Sequence, residues 1–233
     1  GIRDYKVTGV QTCALPILGD LMIYKNARTI LICFMSLLLI GCMQKESVFE
    51  ITKKMAEQGD HEAQFRLGAM HEIGEEVPKD FAKAIEWYRK SADQGNTDAL
   101  MSLAVIYEGG EKISQDLSEA ANLYAAAAEQ GENNAQLKIG LMYFMGSGVS
   151  RDAQSAIQWI SKAAESGNPK APFVLAMSYA RGQGVSKDIG KAYMWFIIAE
   201  HLGTNGAAEQ KEKISEKLSF ERMANAEIGR AHV

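Results

Sequence analysis

The chain is poor in cysteine and lacks any run of basic residues. Only three cysteines occur in 233 residues, and the formal net charge is −4. Cys13 lies in a segment that we expect to be foreign, and Cys33 lies in an apolar run that we expect to be removed, so Cys42 alone remains. One cysteine cannot form a disulfide framework or a thiolate metal cluster. The acidic balance argues against a nucleic-acid partner, because nucleic-acid binding usually requires a basic face.

The sequence also lacks a recognisable catalytic constellation. Its histidines show no HExxH spacing, and His71 is expected to fill a packing position rather than to bind a metal. The stretches MGSGV and RGQGV resemble phosphate loops, but no strand pattern precedes them, as a P-loop or Rossmann motif requires. We therefore predict a non-enzymatic protein with no catalytic residue, no metal site and no cofactor.

Both ends of the chain resemble translated sequencing adapter. The stretch EIGRAHV, residues 227–233, can be encoded by DNA whose opposite strand encodes TCALPI, residues 12–17. A natural protein has no reason to show such complementarity between its ends. We expect residues 1–17 and 227–233 to be a library artefact, and such segments are set aside before the fold is interpreted.

A short apolar segment follows the first of these stretches. Met22 is the expected start, and the cations Lys25 and Arg28 precede the 12-residue apolar run TILICFMSLLLI. A membrane-spanning helix needs about 20 apolar residues, so the run is too short to span a bilayer. Residues 22–41 are therefore predicted to be a signal peptide.

The segment ends in LLIGC, which resembles the lipobox of bacterial lipoproteins. The resemblance implies that Cys42 carries a diacylglycerol and that several acyl chains anchor the mature protein in a membrane. Met43 stands where inner-membrane retention usually requires Asp, so we expect an outer-membrane lipoprotein of the bacterial envelope that faces the periplasm. Residues 42–47 would form a short linker. An ordinary cleaved signal or a signal anchor is the alternative.

The rest of the chain repeats with a period of 36 residues. Several columns of glycine, aspartate and alanine keep this spacing without a slip, which is typical of a repeat protein. These columns are Gly59, Gly95, Gly131, Gly167 and Gly203; Gly74, Gly110, Gly146 and Gly182; Asp80, Asp116, Asp152 and Asp188; and Ala84, Ala120, Ala156 and Ala192. Apolar residues recur at helical spacing on both sides of a glycine-rich turn, so each unit is predicted to form two helices.

The turn glycines are expected to end the first helix of each unit, and the aspartates are expected to cap the second. One helix pair cannot bury both of its faces, so the units must stack into an all-α superhelix. Residues 60–203 form four repeats in this interpretation. A capping helix is predicted before them at 48–59, and a truncated one after them at 204–226.

The repeats resemble those of Sel-one-like repeat (SLR) proteins, which are relatives of tetratricopeptide solenoids. The resemblance is carried by AQFRLGAMHEIGEEVPKDFAKAIEWYRKSADQG, AQLKIGLMYFMGSGVSRDAQSAIQWISKAAESG and APFVLAMSYARGQGVSKDIGKAYMWFIIAEHLG. It covers residues 48–226 and implies a right-handed α-solenoid of helix-turn-helix repeats. The chain departs from the pattern at His71, Glu76 and Leu123 and in the turn EGGEKISQD, which lacks a second glycine. The geometry of these turns is left open.

In the related tetratricopeptide solenoids, the first helix of each unit lines the concave face. Carried across by resemblance, that face holds our candidates for protein binding, which are Phe144, Met145, Phe173, Met177 and Arg181. Aromatic and methionine side chains supply adaptable contacts to a bound peptide or helix. Packing between neighbouring helices is the alternative role for such residues.

Charge along this face changes from acidic at Glu62, Glu72 and Glu108 to basic at Lys170 and Arg181, which either orients a partner or is a solvated surface. The sequence thus predicts a scaffold that binds a protein partner, with membrane contact through the lipid anchor and with no nucleic acid and no small-molecule cofactor. Two alternatives remain. One is a periplasmic module that binds peptidoglycan or modifies the cell wall in the manner of a β-lactamase, and the other is a surface-exposed lipoprotein that engages host proteins.

Overall fold

The computed structural model describes residues 47–219 and Met223. Several predicted features lie outside the described residues: the adapter-like segments 1–17 and 227–233, the signal peptide at 22–41, Cys42 with most of its linker, and most of 220–226 at the end of the C-terminal cap.

Ten helices and no strand make up the described part of the chain, which confirms the predicted all-α helical repeat solenoid. In chain order they are α1 (Val48–Glu57), α2 (His61–Ile73), α3 (Phe81–Ala92), α4 (Thr97–Gly109), α5 (Leu117–Glu129), α6 (Asn133–Met145), α7 (Ala153–Glu165), α8 (Ala171–Arg181), α9 (Ile189–His201) and α10 (Ala207–Ser215). Helices α2, α4, α6 and α8 are the first helices of repeats 1 to 4, and α3, α5, α7 and α9 are the second helices. Within residues 47–219, none of the helices combines the length and the apolar character that a membrane crossing requires.

An aspartate begins each second helix, as predicted. Its backbone is extended, and its carboxylate accepts hydrogen bonds from N–H groups of the first turn of the helix. Asp152 Oδ1, for example, accepts from the N–H groups of Gln154 and Ser155 at 2.9 and 3.2 Å. These N–H groups have no partner inside the helix, so the cap removes an unsatisfied donor and sets the first residue of the helix.

A glycine ends each first helix in the left-handed conformation, and φ at these positions lies between 67° and 85°. A backbone hydrogen bond then closes each turn, from the N–H of the capping aspartate to a carbonyl near the end of the first helix. The four distances, from Asp80 N to His71 O, Asp116 N to Tyr107 O, Asp152 N to Tyr143 O and Asp188 N to Tyr179 O, are 2.9, 3.1, 3.0 and 3.0 Å. Every repeat therefore forms the same hairpin.

Small residues let the two helices of a repeat approach each other closely. Ala84, Ala120, Ala156 and Ala192 are fully buried. A Cβ atom added to Gly140 on α6 would lie 2.6 Å from Ile160 Cγ1 and 3.1 Å from the Ala156 carbonyl oxygen. Side chains in protein cores are already close-packed, so a larger residue in these columns would force the helices apart.

Consecutive repeats meet through their turns. Gly148, in the turn of repeat 3, lies so close to the start of α5 in repeat 2 that an added Cβ would be 2.0 Å from the Leu117 carbonyl oxygen. A Cβ added to Gly184, in the turn of repeat 4, would likewise lie 2.1 Å from the Ala153 carbonyl oxygen of repeat 3. The hydroxyl of Ser118 donates to the Gly148 carbonyl at 2.9 Å and strengthens the first of these junctions.

The two turns that lack this glycine keep the hairpin by other means. Glu76 has a φ of 59° and is the one non-glycine residue with positive φ among those described. Lys112, at the same position of repeat 2, extends over the ring of Phe81 with its Nζ 4.4 Å from the ring centroid. His71, in the column that holds tyrosine elsewhere, is buried with its ring perpendicular to that of Phe49.

A single helix covers each end of the stack. α1 corresponds in register to a second helix, and no first helix precedes it within the described residues. As a result Val48 and Met55 are 65% and 45% exposed, although Ala84 and Ser91 at the equivalent positions of α3 are fully buried. At the other end, Ile214 and Leu218 pack against α9 and bury its outer face.

Candidate functional site

Four of the five side chains predicted for protein binding line a single groove. Phe144 at the end of α6 and Phe173, Met177 and Arg181 along α8 border a volume of about 510 Å³. Met145 is 69% exposed but does not line this groove. Successive residues of a helix are rotated by about 100°, so Met145 faces a different direction from Phe144.

Two turns complete the groove, which therefore lies between repeats 3 and 4. Arg151 and Ala153 come from the turn before α7 and from its first residue, and Gly182 to Gly184 come from the turn after α8. Because Gly184 packs directly on the carbonyl of Ala153, the two turns are held against each other. Arg151 lies in the first of these turns and Arg181 directly precedes the second, and both line the groove.

The floor of the groove is apolar and rests on the core. The ring of Phe173 packs edge to face on Phe196, with centroids 5.6 Å apart, and Met177 contacts the same cluster. Phe144 packs against a neighbouring cluster around Ile160. Each of these three groove side chains is half-buried, so one side serves the core and the other remains available to a partner. Packing and binding, the two roles left open by the sequence, are compatible here.

The apolar character of Phe144 follows from a change on the facing helix. In repeats 1 and 2 the same column holds Glu72 and Glu108, whose carboxylates accept hydrogen bonds at 2.7 Å from buried tyrosine hydroxyls, Tyr88 and Tyr124. Repeat 3 has Ile160 in place of the tyrosine. Isoleucine offers no donor, so an apolar side chain replaces the carboxylate without leaving a polar group unpaired.

Lysines of the following repeat engage the same two carboxylates. Lys112 Nζ lies 2.6 Å from Glu72 Oε1, and Lys138 Nζ lies 2.9 Å from Glu108 Oε2. Burial acts to raise the pKa of both carboxyl groups, but the hydrogen bonds from lysine and tyrosine outweigh it, so both pKa values are lowered. Burial, together with the adjacent carboxylate, raises the pKa of each partner tyrosine. Both carboxylates are therefore ionised at neutral pH and already paired.

The arginines of the groove are in the opposite situation. Arg151 and Arg181 are exposed, and neither forms an ion pair with another described residue. Their surroundings are basic, because residues 133–203 hold 7 basic and 4 acidic side chains, whereas residues 61–132 hold 6 and 14. The whole repeats thus show the same acidic-to-basic change that the sequence shows along the first helices.

A second cavity continues the groove along α8. It has a volume of about 440 Å³, shares Phe173 and Val174 with the groove, and is bordered by Lys170 and by Leu202. α8 has 11 residues and a length of about 16 Å. A segment lying along α8 would therefore contact both cavities.

The groove contains surface for contacts but no set of reacting groups. Ser178 lines it, yet its hydroxyl donates to the Val174 carbonyl at 2.8 Å within the same helix. No cluster of three or more metal-binding side chains occurs in the part of the chain that the structure describes.

Arg151 was not predicted as a site residue. It lies in a turn, in the same column as Lys79, Gln115 and Lys187, and nothing in that column marks it as different. Only the stacking of repeat 4 on repeat 3 brings it to the face of α8.

Comparison with known proteins identifies the repeat. The Sel1 repeat profile matches residues 61–96, 97–132, 133–168 and 169–203. Among solved structures, a Sel1 repeat protein from Oxalobacter formigenes is 35% identical over 70% of this chain, with a TM-score of 0.59. The protein c5321, a protective antigen present in uropathogenic Escherichia coli strains and displaying an SLR fold, is 31% identical over 77% of this chain, with a TM-score of 0.50. The matches span 65% and 46% of those two proteins. No curated protein sequence matches the chain.

Proposed function

Because this chain belongs to the Sel1 repeat family, whose repeats generally form non-catalytic scaffolds for protein–protein interaction, we propose that it holds a protein partner in the groove between repeats 3 and 4. The observation that carries the proposal is the groove of Phe144, Phe173, Met177 and Arg181. Half-buried aromatic and methionine side chains of this kind anchor peptides and helices at interfaces. Their rigid support from the core limits the side-chain entropy that is lost on binding.

The second part of the proposal is that the scaffold is a lipid-anchored protein of the bacterial envelope, in the outer membrane and facing the periplasm. The apolar run before LLIGC and the single cysteine at its end support a lipid anchor at Cys42. α1 begins at Val48, so five residues, 43–47, would separate Cys42 from the solenoid. The six residue steps from Cys42 to Val48 span at most about 20 Å, which would keep the repeats close to the bilayer. The protective-antigen description of the related Escherichia coli protein is compatible with an envelope position.

The groove variant Phe144→Glu, Met177→Glu tests the scaffold. We expect the unaltered protein, crosslinked in membranes, to co-purify a specific protein whose recovery falls at least tenfold with the variant. A carboxylate on the apolar floor would have to be desolvated when the partner binds. Recovery is measured by quantitative mass spectrometry, after circular dichroism has shown unchanged helical content and melting temperature.

Val105→Glu is the matched control, because Val105 occupies the column of Met177 in repeat 2 and is 55% exposed outside the groove. It should leave the recovery unchanged. Equal recovery with the folded groove variant, or the absence of any specific partner, would contradict the proposal. Retention of the purified protein on cell-wall sacculi would in that case favour the peptidoglycan-binding alternative.

The lipid anchor has a separate test, the substitution Cys42→Ser. We expect it to abolish the incorporation of labelled fatty acid into the protein, because the hydroxyl cannot form the thioether link that carries the acyl chains. Cys33→Ser lies in the apolar run before the lipobox and should leave the labelling unchanged. Metabolic labelling followed by immunoprecipitation measures both. Equal labelling of the Cys42→Ser protein and the unaltered protein would show that the cysteine is not the anchor.

A further inference from the structure

We infer that the groove receives an acidic amphipathic peptide segment, in which apolar side chains cover Phe144, Phe173 and Met177 while Asp or Glu side chains pair with Arg151 and Arg181. The inference rests on the proposed scaffold function and adds the chemical class of the partner. Apolar floor and cationic rim belong to one cavity, so a single short segment contacts both.

The rim favours carboxylates because it carries two guanidinium groups. Arg151 lies in the turn before α7 and Arg181 at the end of α8, and both line the groove. A guanidinium is planar and weakly hydrated and binds a carboxylate through two parallel N–H donors. Because neither guanidinium is paired with another described residue, a bound carboxylate would not have to displace an existing partner.

A basic segment is disfavoured by the state of the acidic residues. On the first helices of repeats 1 and 2, Glu72 and Glu108 already bind a lysine and a tyrosine each. Both carboxylates lie outside the groove, and the described lining of the groove contains no carboxylate. A basic segment would therefore find no ion-pair partner there, and it would be repelled by the excess of basic over acidic residues in repeats 3 and 4. Complementary charge instead accelerates the encounter of an acidic segment with this half of the solenoid.

The apolar floor distinguishes a peptide from a small anion. Phosphate or a nucleic-acid backbone would satisfy the arginines but would leave the rings of Phe144 and Phe173 and the side chain of Met177 exposed to water. An amphipathic segment covers them and gains the free energy of apolar burial, about 25 cal/mol per Å². The second cavity, bordered by Lys170 and Leu202, offers the same combination of cation and apolar contact further along α8.

The test is a selection from a random 12-residue peptide phage library against the immobilised full chain. The same library is selected against three variants. They are the double variant Arg151→Glu with Arg181→Glu, the single variant Met177→Glu, and the single variant Lys187→Glu. Lys187 occupies the column of Arg151 in the next repeat, is exposed, and does not line the groove. The best peptides are then synthesised, and their affinities are measured by fluorescence anisotropy at low and high salt.

We expect the unaltered chain to enrich peptides with Asp or Glu beside an aromatic or aliphatic residue. Their affinity for the double arginine variant should be about a hundredfold lower or more, and the loss should be smaller at high salt, because charge-assisted hydrogen bonds to both arginines are lost. Lys187→Glu should change the affinity less than threefold. The double variant should enrich peptides with Lys or Arg instead.

Four results would overturn the inference. Peptides that depend on Met177 but carry no acid would refute the acidic partner and leave the scaffold proposal intact. Peptides that bind Met177→Glu as well as the unaltered chain, or no enrichment at all, would count against both. Salt-sensitive dimerisation in sedimentation that the arginine variant abolishes would identify a second copy of the chain as the occupant.

Discussion

Gly148→Ala should destabilise the solenoid by about 2 to 5 kcal/mol, the largest effect that we expect from one added methyl group. Two causes combine. A φ of 72° in the left-handed region is unfavourable for alanine by about 1 to 2 kcal/mol. The new Cβ would also lie 2.0 Å from the Leu117 carbonyl oxygen, and overpacking of this kind adds about 1 to 3 kcal/mol. A backbone atom cannot rotate away as a side chain can, so the two repeats must separate.

The place of the damage matters as much as its size. In a linear repeat protein each unit contacts only its neighbours, so a broken junction uncouples the units on its two sides. Gly148 connects repeats 2 and 3, in the middle of the stack. Urea unfolding followed by circular dichroism should therefore change from one transition to two, with repeats 3 and 4 separating from repeats 1 and 2.

Gly167→Ala supplies the control for backbone strain alone. Gly167 has a φ of 83°, but an added Cβ would meet no atom within 4 Å. We expect about 1 to 2 kcal/mol from this change and a single unfolding transition. If the two variants are equally stable, the close approach of Gly148 to α5 does not determine the junction.

The fold was predictable because its determinants are local and recur. The aspartates cap the second helices, and the glycines at 74, 110, 146 and 182 end the first helices in the left-handed conformation. Each of these residues acts within one hairpin, and four copies of each made the spacing clear. The second turn glycine is different. It is needed at Gly148 and Gly184 because of contacts with the preceding repeat, whereas Glu76 and Lys112 occupy its position in the first two turns.

Those two exceptions could not be interpreted from the sequence. Glu76 accepts a hydrogen bond from the N–H of Phe49 at 3.1 Å, so its partner is a helix 27 residues away. Lys112 packs on Phe81 and pairs with Glu72 in the preceding repeat. In each case a contact with an element distant in sequence holds the turn that glycine holds in repeats 3 and 4. The 36-residue pattern contains no information about such contacts.

The site was predictable to the extent that it follows the helical columns. Phe144, Phe173, Met177 and Arg181 belong to such columns, and the structure brings them into one groove. Met145 belongs to the same column as Arg181, one repeat earlier, but it does not line the groove. Arg151 was missed because the distance between a turn and the next repeat is a property of stacking. Whether these residues bind a protein remains a prediction for the variants described above.

The pair of Glu108 and Tyr124 gives the second large effect, and the chain contains its own reference for it. Repeat 4 has Ala180 and Phe196 at the same two positions. Glu108→Ala should cost about 2 to 3 kcal/mol, because the fully buried hydroxyl of Tyr124 loses its acceptor and Lys138 loses its partner. Adding Tyr124→Phe removes the unsatisfied hydroxyl. We therefore expect the double variant to be more stable than Glu108→Ala, by about 1 kcal/mol in urea unfolding.

The sign of this second step separates the hydrogen bond from the packing around it. Tyr124→Phe alone should destabilise by about 1 kcal/mol, since it removes a satisfied bond, so the same substitution has opposite effects in the two backgrounds. The pH dependence gives an independent measure. The hydrogen bonds from Lys138 and Tyr124 lower the folded pKa of Glu108 below its ordinary value, so its contribution is fully present above the unfolded pKa and is lost as the pH falls through the folded pKa. If the unaltered protein remains more stable than Glu108→Ala by the same free energy of unfolding in acid, the difference comes from the packing of the glutamate stem. If the double variant is less stable than Glu108→Ala, an unsatisfied hydroxyl does not cause the loss of stability in Glu108→Ala.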